Sequence, residues 1–506
     1  MKQIGIILAI FWLTCASFVS LAQVPSDWRI GWYGGLNFNG PTSPFLYPDT
    51  VQNYVAISSI WDQNGKLIFF SNGIKVTDST FNSLPNSPLF STLSLPSQEI
   101  GSHQPNSSII IPRPSHQNQF IIFHEDGLLT SNPGFQHVVT LYYSVIDNSL
   151  NNGLGDITST KNIALGDSLW LGALTTVKHG NGRDWWIVSG KYKSPVFYTW
   201  LVQPDTILGP FQQNIGLSWN IGAIGTWQAC FSEDGENYAI TYQDIVANQR
   251  RLLLLKFDRC SGVFYDTLQI NIVNADTMYT YSGLYGCAFS PTGRYLYTSS
   301  PSFMYQFDLQ STNILNSITE VGVHDHANVP FPSGFNFQKL APDGRIYIQA
   351  GNGNYVAGAI HYPDSFGLTC QVELRYLNYF TQFGTSGINI GVFPNYPNYN
   401  LGPLIGSGCD TLTGISHFED SLTVLNIYPN PTSNYFTATY KLPQNKSGKL
   451  ELFDIVGNLV YTASLSQWSS VHRVEFNDAI ADGIYICKIS SGGWSDWAKV
   501  VVSNEK

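Results

Sequence analysis

Few residues of this chain are spaced for chemistry. His324-Asp325-His326 offers two imidazoles and a carboxylate, and alternate residues of a strand share a face, so the pair has the spacing to chelate a transition metal. Asn328 and Pro330 follow and no third ligand is identifiable, so a solvated loop is expected and no metal is assigned. The stretch Asp147 to Asp156 holds Asn148, Asn151, Asn152 and Gly153, oxygen donors of the kind Ca²⁺ takes. Asn-Gly-rich turns arise for backbone reasons alone, and that reading is preferred. A G-x-S-x-G nucleophile elbow is absent, since Gly384-Thr385-Ser386-Gly387 lacks the spacing. The 25 basic residues are scattered and form no arginine triad of the sialidase kind. No catalytic residue and no cofactor is therefore assigned. Aromatic side chains are more suggestive: Trp185-Trp186, Trp219, Trp227, Tyr396 and Tyr399 have the chemistry to stack on sugar rings or to anchor a protein, although many aromatics of a propeller pack between blades, which is the preferred reading for any one of them. The candidate binding residues are Trp219, Trp227, His324 and His326.

Something must position such loops, and the composition says strands. Aromatic residues make up 14% of the chain and charged residues only 12%, with Tyr 28, Phe 30 and Trp 13 against Met 3. That mixture favours β-structure over helix. A length of 506 residues suits two to four domains. The net charge of −10, with no Lys/Arg cluster, argues against nucleic-acid binding. Residues 1–22 read as a signal peptide: Lys2, an apolar run from Ile4 to Leu13, and a small-x-small site at Ser20-Leu21-Ala22. Cys15 lies within that segment. The remaining Cys230, Cys260, Cys287, Cys370, Cys409 and Cys487 permit disulfides in an exported chain, and the sequence leaves their pairing open.

A hairpin motif recurs between the termini: an apolar strand, a polar turn centred on Gly, and a strand rich in Tyr, Ile or Phe. Two copies nearly superimpose, Phe289-Ser290-Pro291-Thr292-Gly293-Arg294-Tyr295 and Leu340-Ala341-Pro342-Asp343-Gly344-Arg345-Ile346. A third is Phe231 to Tyr238, around Gly235; looser ones surround Gly65, Gly180-Asn181-Gly182, and Ser115 to Asn118. Asp-Gly and Thr-Gly place a positive-φ residue where a hairpin turn requires one. The five intervals between Gly65 and Gly344 average about 56 residues, the period of a four-stranded propeller blade with generous loops. Residues 23–410 are thus expected to form a β-propeller of six or seven blades, seven favoured, with Trp28 to Phe38 closing the ring.

Residues 411–424 read as a linker, and short alternating strands follow over 425–506, the pattern of a small Ig-like β-sandwich. Tyr428-Pro429-Asn430-Pro431, the strand pair around Asp454 and Gly457, Asp482-Gly483-Ile484-Tyr485, and the basic-apolar ending from Lys499 together resemble the type A C-terminal sorting domain of the type IX secretion system. The resemblance implies export through the periplasm, the secretion machinery as partner, and an end point at the outer-membrane surface or in the medium. It also implies lipopolysaccharide attachment after removal of the tail as one fate. Tyr143 to Asp147, Asn152 to Ile157, Leu174 to Trp186 and Phe393 to Pro403 resemble an uncharacterised propeller family that precedes this sorting domain and carries no established activity. The expectation is an exported, non-catalytic propeller that binds a glycan or a protein. A secreted hydrolase of carbohydrate or peptide and a structural part of a surface or motility assembly are the alternatives.

Overall fold

The computed structural model describes residues 25–503, apart from 40–43, 53–55, 88–104, 129–136, 216–222, 245–248, 273–283, 352–353, 380–392 and 411–424 and short stretches of the tail at 434, 441, 443–445, 466–470, 477–479 and 493. The signal-peptide and linker segments, and Gly384 to Gly387, lie outside the described residues.

Seven antiparallel sheets follow one another before the tail. The first (Asp27 to Gln52) and second (Ser58 to Asp78) have three strands, and the next five have four, each strand pairing with its successor in the chain. The first strands of successive sheets face one another: Ser58–Trp61, Ser108–Pro112, Thr175–Lys178, Ala223–Phe231, Gly286–Phe289 and Gln338–Leu340 form the inner wall of a ring. This is a β-propeller, in which radial repetition leaves few strand edges free. The inner strands are covered by neighbouring sheets; Ser58–Trp61, Gly286–Phe289 and Thr175–Lys178 are buried at every residue.

Each of the six repeated motifs joins an inner strand to the next strand of its sheet. Gly65, Gly182, Gly235, Gly293 and Gly344 have φ between 72° and 80°. In each turn the glycine N–H donates to the carbonyl three residues back, as Gly293 does to Ser290 at 2.8 Å and Gly344 to Ala341 at 3.0 Å. A left-handed residue closing a type I turn suits the twist of the flanking strands. The looser copy without a glycine uses Ser115, at φ 60°.

The first sheet closes the ring. Trp28 and Phe38 lie 6.0 and 5.8 Å from the ring of Tyr347 in the seventh sheet, while Trp61 of the second sheet donates its indole N–H to the Asp27 carbonyl at 2.8 Å.

Beyond the linker, sheets of three strands (Asn426–Tyr428, Tyr435–Thr439, Val471–Glu475) and four strands (Gly448–Asp454, Leu459–Leu465, Gly483–Ser491, Trp494–Val502) enclose a core that includes Phe436, Leu450, Leu452, Cys487, Ile489 and Val500. Along Gly483–Ser491 burial alternates residue by residue, as one face against a core requires. The tail is a small β-sandwich.

Candidate functional site: the strapped axial channel

The inner strands converge on a channel, and the segment 393–404 runs through it. Asn395 lies on the axis: its N–H donates to the Ile57 carbonyl at 2.7 Å, and its side-chain amide donates to the carbonyls of Ser108 (3.1 Å) and Leu174 (3.3 Å). One residue thus ties three successive sheets together. Tyr399 donates its hydroxyl to Ile110 O (2.8 Å) and Ser59 O (3.1 Å), and Tyr396 donates to Leu340 O at 3.2 Å. Asn398 donates to Glu233 O, and Leu404 N–H to Gly180 O at 2.7 Å, on the face that carries the repeated turns. The strap ends in a Cys260–Cys409 disulfide that spans 149 residues of sequence. Beside it Arg259 donates to the carbonyls of Lys178, Asp234, His179 and Gly402, gathering two turns and the strap around one guanidinium.

What remains of the channel is a cavity of about 90 Å³ walled by Gln228, Cys230, Glu233, Cys287, Lys339 and Tyr396 among others. Lys339 directs its ammonium to the Tyr396 carbonyl at 2.8 Å and lies 3.8 Å from the centre of the Tyr396 ring. Burial pushes the Lys339 amine down to about 8, against the opposing pull of Glu233. Glu233 is raised above the ordinary carboxylate range by burial, with Lys339 opposing. Among the described residues lining the cavity, Glu233 is the one carboxylate. A separate acid, Glu125 on the strand Gln119–Leu128, is 1% exposed and neither oxygen has a hydrogen-bond partner, so burial drives its carboxyl far up.

The residues singled out from sequence fall into three groups. Trp219 lies outside the described residues, and Trp227 is placed only as backbone within Ala223–Phe231. His324 is buried, 5% exposed, and its Nδ1 accepts from the His326 N–H at 3.0 Å, which fixes a neutral ring; burial lowers its pKa to about 4. His326 is half-buried, its Nδ1 donating to Ser333 O at 3.0 Å and its Nε2 meeting the Ser302 hydroxyl at 2.9 Å. Asp325 turns away to a two-pronged pair with Arg375, at 2.8 and 2.6 Å, which holds its carboxyl well below the usual range. Asp147 and Asp156 likewise spend their oxygens on protein donors, Ser149 and Gln119 for the first, Asn86 and the Ile157 N–H for the second.

Trp185, Trp186, Tyr396 and Tyr399 are packing residues, the alternative the sequence preferred, and not surface aromatics. Trp185, Trp186 and Tyr399 are 1%, 3% and 5% exposed, Trp186 donating to Arg259 O at 2.8 Å, and half-buried Tyr396 packs between Trp28 and Trp61. They are core because the ring closes on them. Arg259, Gln228 and Asn395 carried no local signal, since each acts on carbonyls far away in sequence.

The motif residues of the tail sew its last strand in place. Asn430, in the turn after Tyr428 and Pro429, donates to Lys499 O at 2.7 Å and accepts from the Val501 N–H at 2.8 Å, and Thr432 N–H, just past Pro431, donates to Val501 O at 2.8 Å. Asp454 accepts from the N–H groups of Val456 and Asn458, and Gly457, at φ 92°, completes that turn. Tyr485, two residues past Gly483, donates its hydroxyl to Ala481 O at 2.8 Å. Lys499 is exposed.

The geometry defines a β-propeller followed by a β-sandwich. Residues 426–503 of that sandwich match the family model described as the secretion system C-terminal sorting domain. The chain thus carries a type IX sorting tail, which implies export to the cell surface or the medium. No curated protein matches the chain by sequence. Among solved structures, PorZ of Porphyromonas gingivalis, described as an essential bacterial surface component of the type-IX secretion system, aligns with a TM-score of 0.32 at 11% identity, over 93% of this chain and 68% of that one. The β-propeller domain of Cps50 (Swd1) from Myceliophteria thermophila aligns at 0.35 and 10% identity, over 66% and 94%. The Dos1 propeller aligns at 0.36 and 11%, over 63% and 72%.

Proposed function

We propose that this protein is an exported, non-catalytic binding propeller of seven blades (residues 23–410) that reaches the surface or medium through its tail. A signal peptide at 1–22 takes it through the periplasm. The observation that carries the reading is the strap. It fills the axial channel where propellers commonly hold small ligands, and it leaves about 90 Å³, well short of the roughly 300 Å³ or more of a ligand pocket. Of the polar groups there, Lys339 is spent on the strap and Gln228 on Cys287 and Gln338 of the neighbouring inner strands. Binding then falls to the face where the inner strands begin, the end of the ring to which the connection 324–337 belongs. Trp219, Trp227, His324 and His326 are the proposed binding residues, and the ligand is a glycan or a protein; lipopolysaccharide is the proposed anchor after the tail is removed.

The test has two arms. Deleting 425–506 should leave the chain in the periplasm of a type IX host, and arrival of the truncated chain in the medium at normal yield would end the export reading. The secreted chain, applied to glycan arrays and to surface extracts, should bind saturably and lose affinity on Trp219→Ala with melting unchanged. A hydrolytic reading would start from Glu125, a buried acid whose carboxyl burial pushes well above the usual range. Turnover of glycoside, ester or peptide substrates that disappears in Glu125→Gln would replace the binding reading.

A further inference from the structure

Cys230 and Cys287 stand on the inner strands Ala223–Phe231 and Gly286–Phe289, in adjacent sheets, and their sulfurs are 3.6 Å apart. Neither is bonded elsewhere as a disulfide; Cys230 is half-buried, Cys287 is buried, and both line the axial cavity. The register at this level is pinned by Gln228, whose Oε1 accepts from the N–H of Cys287 (3.2 Å) and of Gln338 (3.0 Å) while its amide donates to Gln338 O. Three consecutive inner strands are therefore locked in the alignment that sets the two sulfurs side by side. A disulfide is about 2.05 Å long, so closure asks each sulfur to move well under 1 Å. The other two free cysteines have no such neighbour: Cys370 and Cys487 lie in separate cores, one in the ring and one in the sandwich.

We propose that Cys230 and Cys287 form a second disulfide in the exported protein, a staple between the fifth and sixth blades in the wall of the channel. The oxidant is the disulfide of an envelope thiol–disulfide oxidoreductase or of oxidised glutathione. The Cys230 thiolate attacks that disulfide and forms a mixed disulfide, releasing one thiolate of the oxidant. The Cys287 thiolate then attacks the Cys230 sulfur and expels the second thiolate. Two protons pass from the cysteines to the oxidant, which gains two electrons as a dithiol. Half-buried Cys230 is the entry point; Cys287, held up as a thiol by burial, is the resolving partner. With the strap seated the cavity admits no protein oxidant, so the bond forms while the ring is closing. The staple rests on export, because reducing compartments keep such pairs as thiols.

The full chain, denatured and reduced, is refolded in a reduced/oxidised glutathione buffer, blocked with N-ethylmaleimide without further reduction, and digested for mass spectrometry. The expected result is a linked peptide joining Cys230 to Cys287, two hydrogens lighter than the free pair, beside the Cys260–Cys409 peptide. If Cys260–Cys409 forms and Cys230 and Cys287 both carry maleimide, the staple is refuted while the export reading stands. As a second measurement, Cys230→Ser, Cys287→Ser and the double variant should lower the melting temperature by the same few degrees, because one bond is lost in each. Losses that add in the double variant would mean two independent thiols and would overturn the proposal.

Discussion

Lys339 offers a test of the strap that reads in a single slope. Its amine sits inside the channel against the Tyr396 carbonyl and ring, and burial lowers its pKa from 10.5 to about 8. Between those values the unfolded chain holds a proton the folded chain has given up, so stability must rise with pH across that window. Tyrosines such as Tyr347 and Tyr297 act oppositely: burial raises them, so the stability they contribute is present below about pH 10 and lost above it. Lys178, also lowered by burial to about 8, adds to the climb, and the buried Cys370 and Cys487 thiols, raised by burial, oppose it from about pH 8.5. The quantity to read is therefore the difference between wild type and Lys339→Met from pH 8 to about 9.5, up to about 2 kcal/mol at roughly 1.4 kcal/mol per unit. Urea unfolding followed by tryptophan fluorescence should show a wild-type midpoint that climbs more steeply over that range than that of Lys339→Met. Glu233 pulls the amine upward, so Glu233→Gln should extend the climb to lower pH. Equal slopes in the wild type and Lys339→Met would show that the amine is solvated and that segment 393–404 does not sit in the channel.

Two further outcomes test the turns and the strap. A Cβ built on Gly344 meets nothing nearer than Pro291 at 4.0 Å, so Gly344→Val isolates the cost of φ +80°, about 1–2 kcal/mol. Melting should fall in Gly344→Val and hold in Gly408→Ala, where a methyl meets nothing within 4 Å, and further still in Gly235→Ala, where it lands 2.6 Å from Val177. A chain ending at 410 should melt as the full-length ring does, whereas one ending at 392 should fail to give a cooperative transition; equal melting of both by calorimetry would refute the strap.

Local chemistry made much of the fold legible. Thr292-Gly293 and Asp343-Gly344 announce their turns because the left-handed glycine and its flanking strands act within a few residues. The Pro429-Asn430-Pro431 turn and Asp454 to Gly457 are legible for the same reason. Trp28 to Gln52 was harder to read: its sheet turns at Gly31, φ 50°, without the Gly motif of the others, and only its packing on Tyr347 shows that it closes the ring. The role of the strap is not legible in the sequence. Asn395-Tyr396-Pro397-Asn398-Tyr399 has the composition of an exposed loop, and nothing local distinguishes a tyrosine on the surface from one on the axis. Its partners Ser59 and Ile110 lie 340 and 289 residues away, and Cys260 meets Cys409 across 149. A single sequence states residue types, and such convergence is a property of the closed ring.

Where the strap stops bears on whether the propeller depends on its tail to stay folded. Arg259 holds Gly402, Leu404 meets Gly180, and Cys409 is bonded to Cys260, so every anchor described for the ring's closure lies before the linker begins at 411. The sandwich is sealed within itself: Asn430 and Thr432, near its start, bind the backbone of Lys499 and Val501, near its end. The two bodies also touch, through Arg473 over the Tyr435 and Tyr265 rings at 3.4 and 4.3 Å. A cation over aromatic rings at a partly exposed site is worth about 0.5–1 kcal/mol, small beside the hydrogen bonds of the strap and a disulfide. Among the described residues, the anchors of the ring's closure therefore lie within the ring and its strap and none of them depends on the sandwich.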